Sequence, residues 1–315
     1  MVHKKWYIVF TILFCTLLSN AQPNVLVIVA DDMGLDAMNG YDVGSNSLPI
    51  TPNLDALRTQ GLLFNNAWVY PSCAPTRAAT LSAQYGNKTG VLTVPGNLAL
   101  SYETIFEKAT EQTNNTYATA AFGKWHLGGN NNNHPNSQGA QHFAGITGGG
   151  VTDYNAWNFN ENGTVSPTTE YATTKFTDDA IEWIDNQTQP WFVWMAHIAP
   201  HSPFHIPPDP ITYSQSSTNG NRNKFIAMIE TMDYEIGRLY NSLTEAEKAN
   251  TLIIFIGDNG TPNNVLRGFP AGHGKGSLYE GGICAPMFAT GFGVSRVNEV
   301  ENGLIQGLDL SLIHI

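Results

Sequence analysis

Hydrophobic positions along the chain follow two rhythms. Residues 24–30 (NVLVIVA), 117–122 (YATAAF), 191–196 (WFVWMA) and 251–256 (TLIIFI) are short, nearly continuous apolar runs rich in β-branched and aromatic side chains. Such runs predict strands covered on both faces, as in a parallel sheet. Between them, residues 53–60, 101–112, 177–186 and 224–243 carry apolar side chains three and four apart, which predicts helices. In the last of these, Phe225, Met228, Ile229, Met232, Ile236 and Leu239 trace one stripe. Strands alternating with helices imply right-handed β-α-β units, hence an α/β fold with a large, mostly parallel sheet sandwiched by helices. Residues 128–139 (GGNNNNHPNSQG) have no period and read as a mobile surface loop. Residues 147–165 read similarly but carry Tyr154, Trp157 and Phe159, which either line a ligand rim or pack onto the domain.

Each apolar run stops at a chemically loaded group. The first ends at Asp31-Asp32, the second at Lys124 and His126, the third leads to His197 and His201, and the fourth ends at Asp258-Asn259. Ligands of open α/β sheets gather at the carboxyl ends of strands, so these groups are expected to converge.

Composition narrows the possible partners. Of 315 residues, 42% are hydrophobic, enough for a sizeable core, while only 13% are charged, so the surface leans on Asn, Thr, Ser and Gln. A formal net charge of −11 argues against nucleic acid or an anionic membrane as partner, and an anionic substrate needs local positive charge. Lys4 and Lys5, an apolar run over 6–18 and Ser19-Asn20-Ala21 read as a signal peptide over 1–21, with the mature chain starting at Gln22 in the periplasm or outside the cell. Phe14 before Cys15 disfavours a lipid anchor, and no later segment is apolar enough for stable membrane insertion. The remaining cysteines, Cys73 and Cys284, make either one disulfide or two thiols.

Asp31, Asp32, Asp258 and Asn259 offer only oxygen ligands, the set preferred by Ca²⁺ or Mg²⁺. A single Asp-Asp or Asp-Asn pair is equally a turn or a helix cap, but two pairs ending strands of one sheet favour a cation. Lys124 and His126 project to one side if the backbone is extended, pairing a fixed positive charge with a group that titrates near neutral pH. In PSCAPTRAAT, Pro75 fits the first turn of a helix continuing to Ala83. Cys73 then sits at the helix N-terminus with Arg77 one turn on, and both features predict a lowered thiol pKa and an anion site. A soft thiolate is nevertheless an odd companion for an oxygen-ligand metal, and an oxygen nucleophile fits better.

Cys73-Ala74-Pro75-Thr76-Arg77 resembles the C-x-P-x-R signature of the formylglycine-dependent sulfatases of the alkaline phosphatase superfamily. Residues 123–128 (GKWHLG) resemble that family's second signature. The stretches at 31–34 (DDMG), 200–203 (PHSP), 258–260 (DNG) and from Gly274-Lys275 to Glu280-Gly281-Gly282 match in the family's order, so the resemblance spans about 24–309. It implies an alkaline-phosphatase-like fold over 22–309 and a hydrolase of a sulfate ester; export and the aromatic segment 147–165 point to the ester of a sulfated carbohydrate. It also implies that a formylglycine-generating enzyme converts Cys73 to formylglycine. One hydroxyl of the hydrated aldehyde then attacks sulfur and displaces the alcohol; the other loses its proton, expels sulfate and restores the aldehyde. By the same resemblance, Asp31, Asp32, Asp258, Asn259 and the modified Cys73 bind Ca²⁺, Asp258 also takes the proton of the attacking hydroxyl, and Arg77 and Lys124 stabilise the hydrate and the sulfate charge. His126 assists breakdown of the sulfated intermediate, while His201 and Lys275 hold the sulfate and help protonate the leaving oxygen.

The chain departs from the family pattern in places. Leu81-Ser82-Ala83-Gln84 stands where Leu-Thr-Gly-Arg is usual, and Cys284 replaces an arginine after Glu-Gly-Gly-x and is expected to be an inert buried thiol. His197, His205 and His273 fall outside the pattern and are expected to be structural or rim-lining. The match fails after Asp309, and residues 310–315 (LSLIHI) read as the translation of a sequencing adapter, a non-native tail on a truncated gene lacking the family's smaller C-terminal domain. Two other readings stay open: a phosphodiesterase or phosphonate hydrolase of the same superfamily, and a non-catalytic fragment that binds sulfated glycans.

Overall fold

The computed structural model describes residues 22–43, 48–208 and 219–314; the expected signal peptide, 1–21, lies outside the described residues. Ten strands form one mixed sheet: β1 (Asn24–Ala30), β2 (Gly61–Trp68), β3 (Ala118–Lys124), β4 (His142–Ile146), β5 (Trp157–Glu161), β6 (Thr164–Thr168), β7 (Trp191–His197), β8 (Thr251–Gly257), β9 (Met287–Gly291) and β10 (Glu299–Gln306). Their order is β10-β2-β9-β8-β1-β7-β3-β4-β5-β6. The helices are α1 (Pro52–Thr59), α2 (Cys73–Ser82), α3 (Gly86–Thr89), α4 (Ile105–Gln112), α5 (His134–Ser137), α6 (Ala172–Asp185), α7 (Asn221–Ser242), α8 (Glu245–Ala249) and α9 (Glu280–Ile283).

The four apolar runs become the sheet's centre. β1 pairs in parallel with β7 and β8, setting Ala30 opposite His197 and Gly257, and β3 pairs in parallel with β7 and β4. Four carboxyl ends therefore leave the sheet on one edge. Antiparallel β9 joins β8 to β2, and the β5–β6 hairpin extends the other side. Alternation along β1 divides the core between the two faces: Leu26, Ile28 and Ala30 join one cluster, and Val25, Val27 and Val29 the other. The first face is covered by Leu54 and Leu57 of α1, Phe176 and Ala180 of α6, and the whole predicted stripe of α7. The second is covered by Ala74, Ala78 and Leu81 of α2 with Ile105 and Phe106 of α4. Each fully buried Phe, Leu, Ile or Met contributes about 1.5–3 kcal/mol.

Several expectations are corrected. Helix α4 starts at Ile105 rather than 101, because Thr104 and Glu107 form a capping box in which the Thr104 N–H donates to Glu107 Oε2 at 2.7 Å. The segment 128–139 is not a plain surface loop: it contains α5, whose His134 is buried, accepting from Trp125 Nε1 at 2.9 Å and donating from Nε2 to the Leu98 carbonyl at 2.8 Å. The segment 147–165 contributes β5 and the start of β6, and Tyr154, Trp157 and Phe159 are buried in the first core cluster, with Trp157 also bordering a groove. Leu310, within the chain's last helical stretch, is buried in the second cluster. Among the described residues no helix is long and apolar enough to cross a membrane.

One buried acid ties two helices of the first face together. Asp233 of α7 accepts from the backbone N–H of Leu54 at 2.7 Å, and from the backbone and side-chain nitrogens of Asn53 at 3.2 and 2.9 Å. It thereby satisfies donors that the start of α1 cannot pair internally. Asp233→Ala removes these acceptors and is expected to cost about 1–3 kcal/mol, measured as a fall in unfolding free energy by urea titration.

Candidate active site

Backbone hydrogen bonds bring the ends of β1 and β8 together. The Asp258 N–H donates to the Ala30 carbonyl at 3.1 Å, and the Asp32 N–H to Asp258 Oδ1 at 3.1 Å. Asp32 adopts a left-handed conformation (φ 71°), which aspartate tolerates better than most residues, and neighbouring carboxylates thus serve different partners. Asp31 pairs with Lys124 Nζ, whereas Asp32 Oδ1 accepts from Lys275 Nζ at 2.5 Å and Asn259 Nδ2 at 2.8 Å. Gly260 follows because its backbone abuts the Glu280-Gly281-Gly282 turn: a Cβ there would lie 1.8 Å from the Gly281 carbonyl oxygen. The two motifs are thus packed together, backbone against backbone.

Helix α2 begins at Cys73 itself, with Ser72 as N-cap in an extended conformation and Pro75 inside the first turn. Arg77, one turn on, is 1% exposed. Its Nε and Nη2 reach Asp258 Oδ2 at 2.9 and 2.8 Å, its Nη1 donates to the Lys124 carbonyl at 2.5 Å, and Asp31 Oδ2 is 4.0 Å away. Cys73 Sγ lies 3.2 Å from His126 Nδ1. His201 Nε2 lies 3.8 Å from Asp32 Oδ2; its Nδ1 donates to the Ser202 carbonyl at 2.7 Å, and Tyr154 Oη donates to the His201 carbonyl at 2.7 Å. Asp31, Asp32, Cys73, Arg77, Lys124, His126, His201, Asp258, Asn259 and Lys275 therefore form one contiguous cluster. Lys124 and His126 reach it differently than expected. The backbone is not extended through the pair, since Gly123 (φ 89°) and His126 (φ 64°) both turn left-handed.

Burial reverses two electrostatic expectations. The Cys73 thiol is pushed up, not down: burial is the largest cause, opposed by Lys124 and reinforced by Asp31 and Asp258. Arg77, expected to lower it, is committed to Asp258. Burial, followed by the charges of Lys124 and Arg77, pushes His126 down to about 3, so it is neutral near pH 7 rather than titrating there. Burial and the neighbouring Asp31 raise Asp258 to about 6 against Arg77 and Lys124. For Asp31 burial acts upward, yet Lys124, His201 and Arg77 outweigh it and hold the carboxyl below the usual range.

The donor set fits a hard cation. Ligand atoms of Asp31, Cys73 and Asp258 lie within 4.8 Å of one another, as do those of Asp31, Asp32 and His201. Asp31 Oδ1 and Asn259 Oδ1 are buried and accept no hydrogen bond, an expensive condition that a cation would relieve.

Residues outside the motifs behave otherwise. Cys284 is buried, its thiol pushed up to about 12 chiefly by burial. His197 is fully buried at the end of β7 and held at about 3 by burial alone. His205 accepts from Tyr171 Oη at 2.9 Å and packs against Tyr154, while His273 stacks on Tyr279. The sequence reading missed the polar wall beside the cluster, formed by the segment 147–152 and the β5–β6 hairpin. Its signal was present: Trp157, Phe159 and Asn158, Asn160 alternate, and Asn162-Gly163 is a hairpin turn pair, with φ of 47° and 88°.

As a thiol, Cys73 is expected to be unreactive. Alkylation of the native protein by iodoacetamide at pH 7.5, followed by mass spectrometry of the Cys73 peptide, should run about tenfold or more slower than for an exposed thiol. Rapid labelling contradicts the raised pKa.

The cluster and the sheet carrying it can be compared with known proteins. The protein-family model described as Sulfatase matches residues 23–310. Arylsulfatase J of Mus musculus is 30% identical over 304 residues, covering 85% of this chain and 48% of its own length. N-acetylgalactosamine-6-sulfatase of Homo sapiens is 26% identical, covering 91% and 60%. Among solved structures, the protein described as Ps i-CgsB in complex with k-i-k-neocarrahexaose superposes with a TM-score of 0.79 at 28% identity, over 92% of this chain and 70% of its own. This chain thus spans about half to two thirds of the length of such curated relatives. A family match over nearly all the described residues, on an alkaline-phosphatase-like sheet, leads to one assignment: the chain belongs to the sulfatase family.

Proposed function

We propose that the protein hydrolyses a sulfate ester of a carbohydrate, with residue 73 in its formylglycine form as the nucleophile. The observation that carries this reading is the convergence of Cys73, three cations and three strand-end aspartates in one buried cluster. Arg77, Lys124 and Lys275 balance Asp31, Asp32 and Asp258, so a divalent cation leaves the site with positive charge, the local attraction that a chain of net charge −11 otherwise lacks. Asp31, Asp32, Asp258 and Asn259, with the oxygen of modified residue 73, are the residues that would hold Ca²⁺, which supplies charge stabilisation to sulfate oxygens when bound. The formylglycine hydrate supplies the oxygen nucleophile that a raised-pKa thiol in an oxygen-ligand site does not.

The chain's own residues then divide the work. Lys124 and Arg77 orient the carboxylates and the attacking group. His126, neutral and beside residue 73, accepts the proton released when sulfate leaves and the aldehyde is restored. His201 and Lys275, at the Asp32 side, bind sulfate oxygens and give a proton to the departing alcohol. Support for a sugar alcohol comes from relatives: one is named for N-acetylgalactosamine 6-sulfate and one is described in complex with a neocarrahexaose. Residues 1–21 are proposed to direct export, and a formylglycine-generating enzyme to act before folding buries Cys73.

Mass spectrometry of the peptide containing Cys73, after co-expression with a formylglycine-generating enzyme, is expected to show loss of sulfur and gain of an aldehyde; an active enzyme carrying only thiol there sinks the mechanism. Aryl sulfate should be hydrolysed in preference to an aryl phosphodiester, and the reverse preference supports the phosphodiesterase reading. His201→Ala should lower kcat on an alkyl sulfate about 10²–10⁴-fold. Its effect on a nitrophenyl sulfate, whose leaving group needs no proton, should be much smaller. Calcium chloride should raise Tm, and Asp31→Asn should abolish that rise whether or not residue 73 is modified.

A further inference from the structure

A groove of about 970 Å³ opens beside the cluster, at the upper end of the roughly 300–1,000 Å³ usual for small-molecule sites. One wall is the segment 147–152 and the other is the β5–β6 hairpin. The first wall meets the cluster directly. A Cβ on Gly149 would lie 2.5 Å from His126 Nε2, and one on Gly150 would lie 3.3 Å from the His201 ring. The His126 N–H also donates to the Thr147 carbonyl at 3.1 Å, fixing this wall to the end of β3. A sulfate held by His201 and Lys275 therefore has the groove as a path for whatever is attached to its ester oxygen.

The second wall is set by strand register. Asn158 lies opposite Pro167 and Asn160 opposite Val165, and these four share the groove face; Phe159 turns into the core, while Trp157, largely buried, also contributes to the lining. Asn160 is committed, donating to the Asn132 carbonyl at 2.7 Å and accepting from the Gly163 N–H at 2.9 Å. Asn158 is exposed on that face. Among the described residues the lining consists of carboxamides, hydroxyls and apolar surfaces that include Ile146 and Trp157; Glu170 is its one ionisable side chain, and it holds no lysine, arginine or histidine.

We infer that this groove binds a neutral, polyhydroxylated stretch of glycan next to the sulfated sugar, and selects against a second anion there. The inference rests on the sulfatase reading and adds the class of the substrate's neighbouring units. Carboxamides and hydroxyls match sugar hydroxyls as both donors and acceptors, and Val165 and Pro167 offer apolar contact to C–H faces. A second sulfate or a uronic acid in the groove finds no counter-charge, meets Glu170, and loses its hydration without compensation. All positive charge available to the substrate is concentrated at the cluster.

Binding to the full chain carrying Cys73→Ala tests this separately from turnover. By calorimetry, a neutral galacto-oligosaccharide with one terminal sulfate should bind at least about tenfold more tightly than one with a uronic acid or second sulfate on the adjacent unit. Adding Asn158→Lys should reverse or erase that preference, and Asn158→Ala should weaken the monosulfated ligand about tenfold while the affinity for free inorganic sulfate changes less. Equal or tighter binding of the doubly charged ligand, or no effect of either Asn158 variant on the preference, overturns the inference. Absence of aryl sulfate hydrolysis by the formylglycine-bearing enzyme would overturn the sulfatase reading while leaving these affinities readable.

Discussion

The neutralisation of two fully buried carboxylates, Asp31 and Asp258, governs the rest of the molecule. They end adjacent strands, β1 and β8, and removing either charge from water without a partner would cost several kcal/mol. Arg77 grips Asp258 from α2, and Lys124 pairs with Asp31 from β3. This requires the first turns of α2, which packs on the second face, to reach the carboxyl ends of β1 and β8, and β3 to lie on the far side of β7. The parallel register of β1, β7, β8 and β3 is the geometry that allows both pairings at once. One of these carboxylates and the neighbouring carboxamide each keep an oxygen, Asp31 Oδ1 and Asn259 Oδ1, unpaired and buried. The cluster is held together by its cations yet still has room for a further positive charge.

Burial decides the protonation states that matter for chemistry. A thiol at a helix N-terminus beside an arginine ordinarily becomes more acidic. Here desolvation and two nearby aspartates win, and the arginine has already spent its charge on one of them. The site is poorly built for a thiolate and well built for an oxygen that shares a hard cation with the aspartates. His126 stays neutral because it is buried, with Lys124 and Arg77 adding to the effect, which suits a group that receives a proton rather than one that begins with it.

Much of the architecture was legible as pattern. The unbroken apolar runs at 24–30, 191–196 and 251–256 mark the strands buried on both faces, and the stripe from Phe225 to Leu239 marks α7. Elements with one exposed face were harder. The alternation in β5 was hidden by its asparagines, although Asn162-Gly163 marks the turn, and the capping box at Thr104 and Glu107 shows where α4 starts. The aromatic residues of 154–159 could have served rim or core equally, because aromatic side chains suit both; packing against Tyr171 and Phe176 puts Tyr154 and Trp157 in the core, with Trp157 also bordering the groove. Ala83 illustrates the opposite case. It ends α2 in a left-handed conformation (φ 54°), a position where glycine is easier, and the family's usual glycine there carries that geometric reason.

The sequence by itself determined the fold class, the core strands, the family resemblance and the identity of the clustered residues, since each depends on local periodicity or on short spacings within a motif. Tertiary structure alone decided which charges neutralise one another, which protonation states burial enforces, and that a groove without basic side chains lies beside His126 and His201. Those properties arise between segments as far apart as Asp32 and Lys275, where the energy of a charge depends on what surrounds it in space and not on its neighbours along the chain.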